Sequence, residues 1–201
     1  MKQKIILASG SPRRKELLGL LFEDFQIIVS DCEEVLTSQV PEKVTEELAR
    51  QKAEAVVKSG KTEGNAIVIG ADTVVSIEDE ILGKPRNRDH ACQMIRMLSG
   101  KIHKVSTGVA LVQTDSTGSI VKKHSFSETT KVRVAQLSDK EIEAYVNTAE
   151  PYDKAGAYGI QGLFGKYIEG IEGEYNNVVG LPIHRLYVEI QNFAPEYRWF
   201  S

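Results

Sequence analysis

The chain is 201 residues long, 41% hydrophobic and 26% charged, a composition typical of a globular protein that buries a sizeable core. Its formal net charge of −3 and pI near 5.9 argue against a general electrostatic grip on a nucleic acid polymer or an anionic membrane. The two cysteines, Cys32 and Cys92, lie far apart in sequence, which excludes a CxxC metal spacing and favours a reducing cytoplasm. The apolar run at residues 5–8 is too short for an export signal or a membrane span.

Helix and strand patterns alternate along the chain. Short apolar runs predict strands at residues 4–8, 25–29, 66–75, 104–113, 120–130 and 166–171. Amphipathic spacing predicts helices from residue 12 and over residues 41–59, 88–98, 138–148 and 181–192, with a hairpin around Glu78 and Asp79. This order, without a repeat or an obvious linker, favours one α/β domain over residues 1–201. We expect a mixed, twisted sheet flanked by helices, with two lobes around a central cleft.

The first segment with chemical interest is Ser9-Gly10-Ser11-Pro12-Arg13-Arg14. Ser11 suits a helix N-cap and Pro12 the first helical position, so backbone amides would face outward and attract an anion. Arg13 and Arg14 would face the positive end of the helix dipole, at a cost of roughly 0.3 to 1 kcal/mol each unless an anion offsets it. The alternative is a solvated arginine pair on an ordinary capped helix. The GxxxxGK[ST] spacing of a P-loop is absent.

Asp72 interrupts the apolar run at residues 66–75. An unpaired charge inside a buried strand costs several kcal/mol, so this carboxylate should have a metal, a cation or a cleft beside it. The alternative is that Asp72 ends the strand and caps backbone amides.

Two lysines are further candidates for binding an anion. Lys52 lies four residues after Leu48 and four before Val56, which puts its stem on the apolar stripe of the predicted helix. Its ammonium either reaches a phosphate or snorkels to solvent. Lys84 follows the predicted hairpin and is either a phosphate ligand or a simple turn lysine.

An acidic turn supplies candidate metal ligands. Asp31, Glu33 and Glu34 carry the hard oxygen atoms that Mg²⁺ and Mn²⁺ prefer, although an exposed acidic turn has the same composition. The four histidines show no ligand spacing such as HExxH, and we interpret them as surface or packing residues.

Taken together, several segments resemble the Maf family, a set of nucleoside triphosphate pyrophosphatases related in fold to the inosine triphosphate pyrophosphatases. The resemblance covers nearly the whole chain. It rests on LASGSPRR at residues 7–14, residues 49–53, GADTVV at 70–75, LGKP at 82–85, STGVA at 106–110, EPYDKAGAYGIQG at 150–162 and residues 177–182.

The resemblance implies hydrolysis between the α and β phosphates, with Asp72 as the proton acceptor. It also implies that Arg13, Arg14, Lys52 and Lys84 neutralise the triphosphate bound by the loop that contains Ser9 and Ser11. Glu33, together with Asp72, would hold a divalent cation, Mg²⁺ or Mn²⁺.

The same resemblance extends to base choice, because Arg13, Thr73 and Gln161 match the subgroup that prefers dTTP and UTP rather than the subgroup that acts on 7-methyl-GTP. A glutamine amide offers a donor and an acceptor, as a pyrimidine edge with a carbonyl and an N3 hydrogen requires. The substrate would be an ordinary or a modified pyrimidine nucleotide.

Two function hypotheses follow from these residues. The leading one is an enzyme that removes nucleoside triphosphates from the pool. The other is a regulatory nucleotide-binding protein of cell division or septum formation in which hydrolysis is incidental, although pure binding does not require a carboxylate inside a strand. We expect no nucleic acid polymer and no membrane as a partner, and a homodimer is plausible for a chain of this size.

Overall fold

A seven-stranded mixed sheet carries the fold. The computed structural model describes residues 3–62, 64–78 and 80–197. Within these residues the strands are β1 (Lys4–Leu7), β2 (Gln26–Ile27), β3 (Ala66–Ile77), β4 (Glu80–Leu82), β5 (Ile102–Thr114), β6 (Ile120–Val134) and β7 (Ile168–Glu172). The α-helices are α1 (Pro12–Leu18), α2 (Pro41–Lys58), α3 (Arg88–Leu98), α4 (Asp139–Val146), α5 (Tyr175–Val179) and α6 (Ile183–Phe193).

The strand order is β2-β1-β3-β5-β6-β7, with β4 also paired to β3. The β1 strand runs parallel to β2 and β3, whereas the β3–β4 and β6–β7 pairs are antiparallel. This mixture of directions, with helices between the strands, confirms the predicted fold class.

The chain divides into two compact units. The first contains Met1–Asp72, Thr107–Glu128 and Gly180–Ser201, and the second contains Thr73–Ser106 and Thr129–Val179. Strands β3, β5 and β6 each contribute residues to both units. The single-domain interpretation of residues 1–201 stays a prediction.

In the first unit, the pairing of β1 with β3 determines where the loop after β1 lies. Leu7 is opposite Ile69, and the backbone N–H of Ala8 donates to the Ile69 carbonyl at 2.8 Å. The strands are parallel, so the chain after Leu7 continues beside the part of β3 that follows Ile69. The loop at residues 9–14 therefore begins at the end of β1, next to the part of β3 that carries Asp72.

Helix α2 packs directly on the sheet because two glycines leave room for its backbone. A Cβ on Gly70 of β3 would lie 2.1 Å from the Ala49 carbonyl oxygen, and one on Gly108 of β5 would lie 2.2 Å from the backbone of Thr45. Side chains two residues apart on a strand share a face, so Asp72 points to the same side as Gly70. The helix thus covers the face that carries Asp72.

The second unit has its own apolar core. Helix α3 contributes Ala91, Met94, Ile95 and Leu98, and these residues cluster with buried side chains from β3, β5, β6 and α4. The helix occupies residues 88–98 as predicted, and Asn87 caps its first turn. Helix α4 begins with the predicted capping box of Ser138 and Glu141.

Most differences from the sequence prediction concern element ends and short elements. The predicted strand at residues 25–29 shrinks to β2, while β3 and β6 extend past their predicted ends. Helix α5 and three 3₁₀ segments, at Glu150–Asp153, Ala155–Ala157 and Leu163–Tyr167, were not predicted, because elements this short have no hydrophobic period. The β3–β4 hairpin is confirmed by the pairing of Ile77 with Glu80. Asp79 lies outside the described residues.

Within the part of the chain that the structure describes, no helix combines the length and the apolar character needed to cross a membrane.

Candidate functional site

The loop after β1 forms as the sequence predicts. Ser11 is the N-cap of α1 and its hydroxyl accepts from the backbone N–H of Arg14 at 3.5 Å, while Pro12 opens the helix. Ser9 is buried, and its hydroxyl accepts from the backbone N–H of Ser11 at 3.3 Å. The first turn contains no acidic residue that could pair with Arg13 or Arg14.

Two hydrogen bonds fix the side chain of Arg14. Its Nε donates to the Gly180 carbonyl at 2.9 Å, and its Nη1 donates to the Ser9 hydroxyl at 3.3 Å. Burial lowers the pKa of the Arg14 guanidinium, and the charge of Asp72 acts in the opposite direction. Arginine remains protonated in proteins, so a fixed cation lies within electrostatic range of Asp72. Arg13 is half-buried in the same turn.

Asp72 and Thr73 are the only two positions of β3 that are not buried. The Asp72 side chain is 15% exposed, and its Oδ1 accepts a hydrogen bond from the Lys52 ammonium. The expectation of a cation beside this carboxylate is therefore confirmed. The alternative that Asp72 ends the strand is wrong, because β3 continues to Ile77.

Lys52 lies between two carboxylates. Besides Asp72, its Nζ contacts Oε1 of Glu34 at 2.9 Å, and its own side chain is only 18% exposed. The ammonium is thus directed to Asp72 on β3 and not into bulk solvent. The second carboxylate that contacts Lys52 is that of Glu34, whose side chain is 50% exposed. Glu33, one residue earlier, is exposed as well.

The segment between β2 and α2 has no regular structure, and side chains of α2 hold it in place. Gln51 forms a closed pair of hydrogen bonds with Val35: the Val35 N–H donates to Oε1 at 2.9 Å, and Nε2 donates to the Val35 carbonyl at 2.6 Å. One turn earlier, Glu47 accepts from the backbone N–H and the hydroxyl of Thr37. These contacts fix the residue next to Glu34. Sequence reasoning missed Gln51 because its amide has no local signature.

The residues at Lys52 suit a divalent cation. Among the described residues, no group of three or more His, Cys, Asp or Glu side chains is arranged to hold a metal. Two carboxylates, from Asp72 and Glu34, nevertheless meet at one ammonium, which marks a position that favours positive charge. Mg²⁺ bound with a nucleotide takes few protein carboxylates and completes its shell with water and phosphate oxygens. The donor set therefore fits Mg²⁺ or Mn²⁺.

The remaining predicted residues belong to the second unit. Thr73 is half-buried and follows Asp72 on β3, so its side chain points to the opposite face of the strand. Lys84 is exposed after β4, where the Gly83 carbonyl accepts from the backbone N–H of Gly156 at 3.0 Å. Gln161 is exposed in the loop between two 3₁₀ segments.

The first unit thus brings Ser9, Ser11, Arg14, Lys52 and Asp72 together where β1 ends beside β3. A buried hydroxyl, fixed cations and a largely buried carboxylate suit phosphoryl chemistry, because that chemistry depends on positioning and charge stabilisation. The arrangement defines the chain as an α/β protein equipped for a phosphorylated anion.

Comparison with known proteins is consistent with that class. The family model described as Maf-like protein matches residues 4–193, and the chain belongs to the Maf family. A protein of Lachnoclostridium phytofermentans named dTTP/UTP pyrophosphatase is 45% identical over 191 residues, covering 95% of each chain. One of the same name from Agathobacter rectalis is 47% identical over 201 residues, covering 95% of this chain and 98% of its own.

Among solved structures, the Staphylococcus aureus Ham1 protein is 16% identical, with a TM-score of 0.45 over 66% of this chain and 72% of its own. This similarity is too low to bear on the site or the substrate.

Proposed function

We propose that the chain hydrolyses dTTP and UTP, or modified pyrimidine analogues, to the nucleoside monophosphate and pyrophosphate. Relatives of that name align over nearly the full length of the chain. The observation that carries the proposal is Asp72, a carboxylate in a strand that is buried at every position except Asp72 and Thr73. It is hydrogen-bonded to Lys52, and it lies beside the end of β1, where the Ser9–Arg14 loop begins.

In the proposed reaction Asp72 takes a proton from a water molecule whose oxygen attacks the α phosphorus. The bond from that phosphorus to the oxygen bridging the α and β phosphates breaks, and pyrophosphate leaves with the bridging oxygen. The water oxygen stays on the nucleoside monophosphate. A positioned general base contributes typically 10² to 10⁴-fold in rate, which is the scale of the role assigned to Asp72.

Positive side chains would bind the polyphosphate. Arg14 and Lys52 are each fixed by hydrogen bonds, so little reorganisation is needed when negative charge develops. Arg13, Lys84 and the hydroxyls of Ser9 and Ser11 complete the proposed phosphate-binding set.

Asp72 would hold a divalent cation together with the acidic pair Glu33 and Glu34, of which Glu34 contacts Lys52. When bound, Mg²⁺ or Mn²⁺ supplies charge neutralisation to the phosphate oxygens. The chain's own part is to keep two oxygen ligands and a lysine together before the substrate arrives.

Base choice is assigned to Arg13, Thr73 and Gln161. The Gln161 amide would donate to the C4 carbonyl of thymine or uracil and accept from N3–H. Cytosine has an amino group at C4 and no hydrogen on N3, so dCTP is the nucleotide that tests this assignment.

The test is pyrophosphate release by the purified chain from dTTP, UTP, dCTP and dATP with Mg²⁺ or Mn²⁺. We expect turnover of dTTP and UTP, a loss of about a hundredfold or more in Asp72→Asn, and little change in Asp89→Asn, which alters an exposed acid of α3. Tight dTTP binding without pyrophosphate release, or full activity in a folded Asp72→Asn variant, would overturn the proposal. The former outcome would favour the regulatory alternative, which the named relatives do not support.

The proposal also concerns the cellular compartment and the oligomeric state. Cys32 and Cys92 are free thiols, as a reducing compartment requires, and we propose that the enzyme works in the cytoplasm. A homodimer remains a prediction, which light scattering of the purified protein would test.

A further inference from the structure

Gln161 lies in a turn between Gly159 and Gly162. The N–H of Gly162 donates to the Gly159 carbonyl at 3.2 Å, and the N–H of Gly165 donates to the Gly162 carbonyl at 3.0 Å. The approach to this turn contains consecutive left-handed residues, Gly156 at φ 67° and Ala157 at φ 60°. A non-glycine residue in that region costs free energy and needs support from its surroundings. Ala157 is such a residue, just before the turn.

Glu150 provides the contacts nearest to Gln161. Its Oε2 accepts from the backbone N–H of Leu163 at 2.7 Å, and its Oε1 accepts from the backbone N–H of Phe164 at 3.3 Å. Oε1 also accepts from the Tyr145 hydroxyl at 3.0 Å. A half-buried carboxylate that accepts three hydrogen bonds is a strong anchor, because bonds to a charged acceptor are about twice as strong as neutral ones.

The same carboxylate packs against the residue that follows Gln161. A Cβ on Gly162 would lie 2.3 to 2.4 Å from the three carboxyl atoms of Glu150. Gly162 has φ −102° and ψ −156°, so it is not in the left-handed region that favours glycine. Its lack of a side chain is therefore explained by the close approach of Glu150 and not by backbone conformation.

Lys154 supports the other end of the turn. Its Nζ donates to the backbone carbonyl of Glu150 at 2.8 Å, and its stem lies where a Cβ on Gly159 would meet Cε at 2.9 Å. Gly159 and Gly162 are thus each covered by a side chain from the segment 150–154. The two ends of the turn that presents Gln161 are fixed to that one segment.

We infer that Glu150 is a positioning residue for base recognition, which fixes the Gly159–Gly162 turn so that the Gln161 amide meets the pyrimidine edge. The inference rests on the proposed function, in particular on the role of Gln161. Without the carboxylate, the N–H groups of Leu163 and Phe164 lose their acceptor and the turn loses its anchor. A displaced amide then distinguishes less well between a carbonyl and an amino group at C4.

The experiment compares kcat and KM for dTTP and dCTP in three single variants. Glu150→Gln removes an acceptor oxygen at constant size, and Gly162→Ala displaces the carboxylate by adding a methyl group. We expect either change to lower the ratio of kcat/KM for dTTP to that for dCTP by about tenfold, through a higher KM for dTTP with kcat within about twofold. Glu169→Gln is the matched control, because it makes the same chemical change at an exposed glutamate of β7, and it should keep the wild-type ratio.

A double-variant cycle separates positioning from general stability. If Glu150 acts through Gln161, Glu150→Gln should change the ratio less than about twofold in a Gln161→Ala background. Multiplying effects in the double variant, or an equal loss of kcat on both nucleotides, would overturn the inference, as would wild-type selectivity in folded Glu150→Gln. If that variant does not fold, the result with Gly162→Ala decides. Failure of the proposed function would give different results. Either the wild-type protein would release no pyrophosphate, or Gln161→Ala alone would keep the wild-type ratio of kcat/KM for dTTP to that for dCTP.

Discussion

The ammonium of Lys52 donates a hydrogen bond to the carboxylate of Asp72, although the two residues lie 20 positions apart on a helix and a strand. Gly70, two residues before Asp72, allows the backbone of α2 to approach β3 at Ala49, one turn before Lys52. The ion pair is therefore a product of close helix–strand packing.

Replacement of Lys52 by Met should lower kcat/KM for dTTP by about a hundredfold. The change leaves the carboxylates of Asp72 and Glu34 facing each other without a cation and removes one positive charge from the proposed phosphate site. Steady-state pyrophosphate release measures the effect. Lys58→Met is the control, since that lysine is on the same helix and its side chain is 74% exposed. An equal loss of kcat/KM in both variants would mean that activity depends on the total positive charge of α2 and not on the contact between Lys52 and Asp72.

Gly70→Ala should destabilise the fold. The added methyl would lie 2.1 Å from the Ala49 carbonyl oxygen and 3.1 Å from the Ala53 Cβ, so α2 must move, at a cost of about 1 to 3 kcal/mol in free energy of unfolding. Activity should fall as well, because movement of α2 carries Lys52 away from Asp72. Urea unfolding gives the free energy, and Gly170→Ala, whose new Cβ has nothing within 4 Å, should change it by about 0.5 kcal/mol or less.

The acidic pair before α2 gives a test of metal binding. Glu34→Gln should raise the Mg²⁺ concentration for half-maximal activity about tenfold, and by more than Glu33→Gln, because the Glu34 carboxylate is the one that meets Asp72 at Lys52. Gln51→Ala should act in the same direction as Glu34→Gln by releasing Val35. Magnesium titrations of activity measure all three, with the exposed acid Glu23→Gln as control. A larger effect at Glu33 would assign the ligand to that residue.

The sequence predicted Asp72 because of a local contrast: one carboxylate in an apolar, β-branched run. The ion pair of Lys52 with Asp72 was not predictable. The position of Lys52 on the apolar stripe of α2 allows its ammonium either to reach solvent or to bind a carboxylate, and which of the two occurs depends on how α2 packs on the sheet. Similarly, Glu33 and Glu34 lie in an irregular segment without a hydrophobic period, so no sequence pattern indicates which of the two carboxylates contacts Lys52. The reciprocal hydrogen bonds between Val35 and Gln51, which fix the residue after Glu34, are visible only in the folded chain.

Long-range contacts also explain what the sequence did not reveal in the second unit. Residues 150–162 read as a glycine-rich segment, and that pattern predicts a loop but not its support. Glu150 accepts hydrogen bonds from Leu163 and Phe164, thirteen and fourteen residues away. Residue 162 is a glycine because a side chain there would collide with the Glu150 carboxylate.

His103 should make the stability of the fold depend on pH. Its ring is buried at 1% exposure, Nε2 is within 2.7 Å of the Tyr158 hydroxyl, and no partner is found for Nδ1 among the described residues. Burial lowers the pKa of His103 from 6.5 to about 4. Between these two values the unfolded chain binds a proton that the folded chain does not, so the free energy of unfolding falls as pH falls and levels off below about 4. The contribution of His103 is at most about 3 kcal/mol.

His103→Gln isolates this contribution, because a glutamine amide can still bond to Tyr158 but does not titrate. Urea unfolding at several pH values should show that wild type loses about 2 to 3 kcal/mol more than this variant between pH 6.5 and 4, with a constant difference above pH 7. His184→Gln alters an exposed histidine of α6 and should follow the wild-type profile. Parallel profiles for wild type and His103→Gln would show that His103 takes up its proton as readily in the folded chain as in the unfolded one, contrary to its burial against Tyr158.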